Sequence, residues 1–281
     1  MSPVIDFHTH AFPNALAPRA IAQLTINAAA SGYVPMTDGT TARLIHSMDK
    51  AGISRSVVCN IATNPRQMEK VNEFALSLKN HPRFIPLGSV HPNASYENVE
   101  ATLNTLKEGG IPGIKIHPDY MNTEIDSSAF TPIFELCAHL GLLVVAHAGF
   151  DPVQPKHMHC TPDMVLRVMD SHPTLKLVVA HTGGFACESE ALGKLCGAPV
   201  WLDTSLSALR MVKHPEQGLL CDEILRKHDP DRILFATDTP WSDPIQEMAF
   251  IESLGLGALA VDRIFHGNAV DLLRSCGFDA E

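Results

Sequence analysis

The sequence predicts an α/β fold, a distorted (β/α)8 TIM barrel with an insertion after its first strand. Three observations carry that expectation. Short apolar runs alternate with segments of helical periodicity along the chain. The runs are continuous rather than alternating, as in a parallel sheet covered on both faces. Eight such units in 281 residues suit a closed barrel, which typically needs ~250 residues, better than an open doubly wound sheet.

In order, the strand runs are Val4–Phe7, Ser56–Cys59, Phe84–Val90, Ile111–Ile116, Leu142–Ala146, Leu175–Ala180, Val200–Leu202 and Arg232–Ala236. Helical spacing marks Thr41–Ala51, Gln67–Lys79, Tyr96–Glu108, Phe130–Leu140, Pro162–Ser171 and Cys221–Lys227 between them. Residues 11–40 are rich in small residues and carry Pro13, Pro18 and Pro35. They are expected to be irregular, an inserted lid over the barrel mouth. No GxGxxG or P-loop follows any strand, which argues against nucleotide binding. With no solenoid repeat and no low-complexity linker, a single domain over residues 1–281 is the simplest expectation.

Composition narrows the function classes. The net charge of −10, without a basic run, argues against nucleic acid and against an anionic membrane surface. It leaves room for an anionic small-molecule substrate, because a local cluster of Lys, Arg and His outweighs the global sign. The seven cysteines are scattered, odd in number and never in a CxxC pair. That is the pattern of a reducing compartment, not of a disulfide framework or a zinc finger. The start MSPVIDFHTH lacks a basic region followed by a long apolar run, and no stretch approaches the ~20 apolar residues of a membrane span. The expectation is a cytoplasmic protein with a small carboxylated substrate; assembly into a homo-oligomer stays open.

Barrel active sites lie at the C-terminal ends of the strands, and here almost every strand delivers a titratable or metal-capable side chain at that end. The first ends Asp6-Phe7-His8-Thr9-His10, the third near His91, the fourth in Lys115-Ile116-His117, the fifth in His147, the sixth in His181, the seventh in Asp203-Thr204 and the eighth in Asp238. A structural core has no use for such a set, since each buried imidazole or carboxylate needs a partner or costs several kcal/mol. His8 and His10, two apart on an extended segment, point to one side. Imidazoles with a carboxylate suit zinc first, with manganese or iron as alternatives.

Other positions have plainer readings beside the functional ones. His91 lines the pocket or caps a turn before Pro92. His157-Met158-His159 is a second HxH, but in a Pro-rich loop where solvated side chains are as good a reading. Asp203 bonds backbone donors or takes part in the chemistry. Trp241 is a pocket wall or packs on the outer helices. The cysteines read as core fillers.

The stretches VIDFHTH (4–10), GIKIHPDY (113–120), VVAHAG (144–149), VVAHTGG (178–184), WLDTS (201–205), LFATDTPWSD (234–243) and HGNAVDLL (266–273) resemble, in order and spacing, the amidohydrolase superfamily. The likeness is to its amidohydrolase-2 (ACMSD-like) branch of TIM-barrel metal-dependent hydrolases and decarboxylases. The resemblance implies His8, His10, His147 and Asp238 as metal ligands, with Asp238 also able to move a proton. It implies His181 as a catalytic residue beside a single ion, or as a ligand if there are two. Lys115 is the one candidate for a bridging carboxylated lysine. It lies a pleat repeat before His117 and so deeper in the barrel, and one ion is expected. Lys115, His117, His157 and Trp241 are the expected substrate-binding residues.

Two reactions fit that set. The first expectation is hydrolysis of a small carboxylated ester, lactone or amide by metal-activated water, favoured by the chain's modest length and by Asp rather than Glu at position 6. The alternative is non-oxidative decarboxylation of an aromatic or unsaturated acid. A non-catalytic metal-binding scaffold is disfavoured because the strand-end residues all stand.

Overall fold

In the computed structural model, which describes residues 3–29, 32–152 and 154–280, the eight strands are β1 (Val4–Thr9), β2 (Ile53–Cys59), β3 (Phe84–Leu87), β4 (Gly113–Ile116), β5 (Leu143–Ala146), β6 (Lys176–Val179), β7 (Trp201–Asp203) and β8 (Ile233–Leu234). Every neighbouring pair is parallel, in the orders β1-β2-β3 and β4-β5-β6-β7-β8. Two seams join these sheets. Gly88 bridges to Ile114 between β3 and β4, and Thr9 of β1 bridges to Thr239 in the segment after β8. Backbone bonds from Phe7 to Phe235, from Asp238 to His8 and from His10 to Thr239 close the second seam. The barrel expected from the apolar runs is therefore formed.

The helices that matter for the site are α1 (Ala17–Ala28), α2 (Thr41–Ala51), α3 (Met68–Leu78), α4 (Tyr96–Glu108), α5 (Thr131–Leu140), α6 (Pro162–Ser171), α7 (Glu188–Lys194), α8 (Ser207–Lys213), α9 (Pro215–Lys227), α10 (Pro244–Ser253) and α11 (Asn268–Ser275). Residues 11–40 depart from the expected irregular insertion, because α1 occupies much of them. Pro18 is the reason the sequence looked broken there. It sits in the first turn of α1, where a missing N–H costs nothing and its fixed φ suits the helix.

Side-chain parity sorts the barrel into layers. Ile5, Phe7, Val57, Ile85, Leu87, Val145, Val178 and Leu234 pack in one cluster with Leu272 and Leu273 of α11, so α11 closes the lower end. Val144, Ala146, Leu177 and Val179, of opposite parity, pack outward against α4 to α6. The seven cysteines are free thiols, six of them buried, in keeping with their reading as core fillers. No helix among the described residues is long and apolar enough to cross a membrane.

Candidate metal centre

The register of β1 is irregular between Asp6 and Thr9. Across that irregularity the inward-facing set passes from Ile5 and Phe7 to His8 and His10, which both reach Asp238 at the end of β8. His10 Nε2 lies 3.1 Å and His8 Nε2 3.6 Å from Asp238 Oδ1, and one ligand atom from each of the three residues falls within 4.8 Å of the others. Asp238 (φ 61°) and His181 (φ 59°) both adopt left-handed backbone. For residues other than glycine that conformation is uncommon and strained, and it concentrates at functional sites.

An inventory of protons shows what the trio lacks. His10 Nδ1 faces the Cys59 carbonyl at 2.9 Å. A carbonyl only accepts, so Nδ1 carries a hydrogen, and in the neutral ring Nε2 is the free lone pair. His8 Nδ1 donates to Asp203 Oδ2 at 2.8 Å, which bares its Nε2 in the same way. Carboxylate and carbonyl partners behind the imidazoles are the usual support of metal-bound histidine. Burial pushes the His8 imidazole well below its ordinary range and lifts the Asp238 carboxyl, so His8 stays neutral. The Nε2 atoms of two imidazoles and a carboxylate oxygen therefore converge, a donor set that fits a divalent cation. Lys115 Nζ, fully buried, lies 2.9 Å from His8 Nε2, and burial lowers its ammonium pKa. An ion held by the trio requires Lys115 to release that nitrogen.

His147 stands outside the trio, beside His181. Ser205 gives its hydroxyl proton to Asp203 Oδ1 and accepts from His181 Nδ1 at 2.8 Å, so His181 Nε2 is bare. It lies 3.0 Å from His147 Nδ1. On its other side, His147 Nε2 is 4.0 Å from Asp119 Oδ2, and neither atom has a hydrogen-bond partner. Burial holds His147 well below the usual imidazole range, so it has one proton for two needs. A proton on Nδ1 serves His181 and strands the Asp119 side. A proton on Nε2 serves Asp119 and leaves two bare nitrogens facing each other, ready for a cation. His159 Nδ1 donates to Asp119 Oδ1 at 3.1 Å and fixes that carboxylate from behind.

The structure gathers His8, His10, Lys115, His117, His147, His181, Asp238 and Trp241 around one cavity of 690 Å³. His157 is half exposed, pairs with Glu124 at 3.0 Å and does not line the cavity. In the HxH of that loop it is His159, 6% exposed, that turns inward. His91 accepts from the Asn93 N–H at 3.1 Å, the turn-capping reading. Sequence reasoning gave no role to Asp119, although its stretch was recognised. A lone Asp after His-Pro carries no spacing signal; only its buried, unpartnered oxygen marks it.

The upper walls are apolar. Phe150 and Phe185 come from the loops after β5 and β6, which bond to each other through Phe150 N to Phe185 O at 2.7 Å and Phe185 N to Ala148 O at 2.9 Å. Gly149 (φ +84°) permits this, since a Cβ there would lie 2.1 Å from the Phe185 carbonyl oxygen.

Among solved structures, an uncharacterized TIM-barrel protein from Bordetella bronchiseptica matches at TM-score 0.76 and 20% identity, over 98% of this chain and 100% of its own. A dihydroxybenzoic acid decarboxylase from Polaromonas sp. JS666, with bound manganese and the inhibitor 2-nitroresorcinol, matches at TM-score 0.68 and 16% identity, over 98% and 97% of the two chains. Both likenesses speak for the barrel. Among curated proteins, a 2-amino-3-carboxymuconate-6-semialdehyde decarboxylase from Dictyostelium discoideum is 33% identical over 69 residues, 25% of this chain. The matched stretch spans 19% of that relative's length. The family model described as Amidohydrolase matches residues 5–275. The chain belongs to the amidohydrolase family of enzymes.

Proposed function

We propose that the protein is a divalent-metal-dependent carboxy-lyase that removes CO2 from an aromatic or unsaturated acid. The observation that carries this reading is the trio His8, His10 and Asp238, two imidazole nitrogens and a carboxylate oxygen converging at the foot of a largely apolar cavity. The order of preference between the two reactions is thereby reversed from the sequence reading. Two decarboxylases among the similar proteins add support. So does the apolar wall, which strips water from a carboxylate and favours its loss as neutral CO2. Manganese in the Polaromonas protein supports one of the alternatives to zinc named from the sequence; the proposal is one divalent ion per chain.

In this reading His8, His10 and Asp238 hold the ion. His147 joins them through Nδ1 when its proton rests on Nε2 facing Asp119. When bound, the ion supplies a Lewis acid that draws electron density from a substrate oxygen. Lys115, released from His8, and His117 are the groups available to orient the carboxylate. The bond from substrate carbon to carboxylate breaks, its electron pair passes into the conjugated system, and CO2 leaves. A proton taken from solvent water is passed through the Asp238 carboxylate, whose affinity for it burial raises, to that carbon; the electron pair returns to form the C–H bond and hydroxide is left to the solvent. Hydrolysis of a lactone or ester remains the second reading, favoured by the same carboxylate, which can instead take a proton from water.

The test is an assay of manganese-loaded protein against ortho-hydroxybenzoates, unsaturated acids and lactones. CO2 release from at least one acid, without lactone opening, is the expected result. Lactone opening without CO2 release from any acid overturns the proposal in favour of hydrolysis.

A further inference from the structure

The cavity is larger than the reaction needs. At 690 Å³ it has room for on the order of twenty non-hydrogen atoms, taking the ~30 Å³ that a water molecule occupies in the liquid. A single-ring acid fills roughly half of that. The remainder lies against α1 and α3 rather than against the metal trio.

α1 is built in an unusual way. Leu16, Ala20, Leu24 and Ala28 recur every four residues, so they form one stripe along the helix, and all four line the cavity. The described residues cover that stripe only in part. Leu16 is 46% exposed, Ala20 and Leu24 are only half-buried, and within α1 only Ala17 and Ala28 are buried. Val71 and Phe74 of α3 line the same space and are likewise half-buried. An amphipathic helix normally buries its apolar stripe against the core; here the stripe faces a void continuous with His8, His10 and Asp238.

Polar groups at the rim are engaged with one another. Gln23 donates to Asn27 at 3.0 Å, the Thr63 hydroxyl donates to Gln67 at 2.9 Å, and Lys70 pairs with Glu73 at 2.8 Å. Between this rim and the metal trio the wall offers mainly carbon.

We propose that the space along α1 and α3 is a subsite for an apolar tail of the substrate. The substrate class is then an acid whose carboxylated head sits over the trio and whose hydrocarbon arm lies against Leu16, Ala20, Leu24, Val71 and Phe74. This inference rests on the proposed metal site for the position of the head, and its test separates the two.

Binding of benzoate and of 4-butyl-, 4-hexyl- and 4-octylbenzoate, at submicellar concentrations, is measured by calorimetry with and without manganese. Burying each added CH2 is expected to tighten Kd about three- to four-fold until the subsite is full. Leu24→Asp, which places a carboxylate in the wall, is expected to abolish that gain, whereas Leu24→Ile retains it. A Kd that does not change along the series overturns the proposal, as does a gain that survives Leu24→Asp. Benzoate binding indifferent to manganese would count against the metal reading instead and leave the slope of the series to judge the tail.

Discussion

Asp203 and Asp119 are buried carboxylates that each face an imidazole of the site, Asp203 bonded to His8 and Asp119 4.0 Å from His147 without a hydrogen bond. Asp203 holds His8 through Nδ1 at 2.8 Å and anchors the backbone N–H of His181 at 3.0 Å. Asp119 faces His147 Nε2, and its loss unties the tautomer that aims Nδ1 inward. Asp119→Asn is expected to weaken manganese binding by 10- to 100-fold, the usual cost of losing such a partner, with little change in fold; an unchanged Kd by calorimetry would contradict the role. A third buried carboxylate lies away from the metal residues. Glu247 accepts from the backbone N–H of Ala208 and of Leu209, and burial pushes its carboxyl up to about 8 from 4.5. Between those values the folded state holds a proton that the unfolded state has lost, so this group's contribution falls as pH rises from 4.5 to about 8. Glu247→Gln is therefore expected to gain stability relative to the parent at pH 8.5 compared with pH 5.5. Guanidinium unfolding of both proteins at the two pH values measures it, and an equal difference at both would contradict the buried, protonated state.

The strands were legible in the sequence because parallel strands buried on both faces leave uninterrupted apolar runs, and their ends were legible because polar groups there break the runs at one end of the barrel. α1 was not legible: Pro18 looks like a break until its first-turn position is known, and the apolar stripe is diluted by alanine. The HxH in the loop after β5 stayed ambiguous for another reason. An HxH in a strand fixes both imidazoles on one side, but in the loop over 157–159 the backbone sends His157 to solvent and His159 to Asp119. The irregularity in β1 was invisible as well, although it is what turns His8 into the barrel after Phe7. The pairing of the β5 and β6 loops hangs on Gly149. Gly149→Ala is expected to cost ~2 kcal/mol or more of stability, read as a shift in the denaturation midpoint; a change within ~0.5 kcal/mol, the range of ordinary surface substitutions, would show that the loops do not need that approach.

Over the whole molecule, the acidic balance of −10 is compatible with a site rich in histidine and lysine because the chemistry is confined to one end of the barrel. The family assignment covers residues 5–275, so fold and family rest on nearly the full chain, while the reaction rests on a few strand-end side chains and the cavity above them. Those side chains were nameable from sequence because each closes a strand. What the sequence did not disclose is how they divide, three into a tight trio and His147 with His181 beside it, since that depends on proton positions and on distances of a few ångström. The central claim is that the trio is a metal centre. It is tested most directly by elemental analysis of the native protein beside a His8→Ala, His10→Ala variant. The account predicts about one divalent ion per chain, held by the His8, His10 and Asp238 trio, and its loss from the variant; a variant that keeps full occupancy would contradict it.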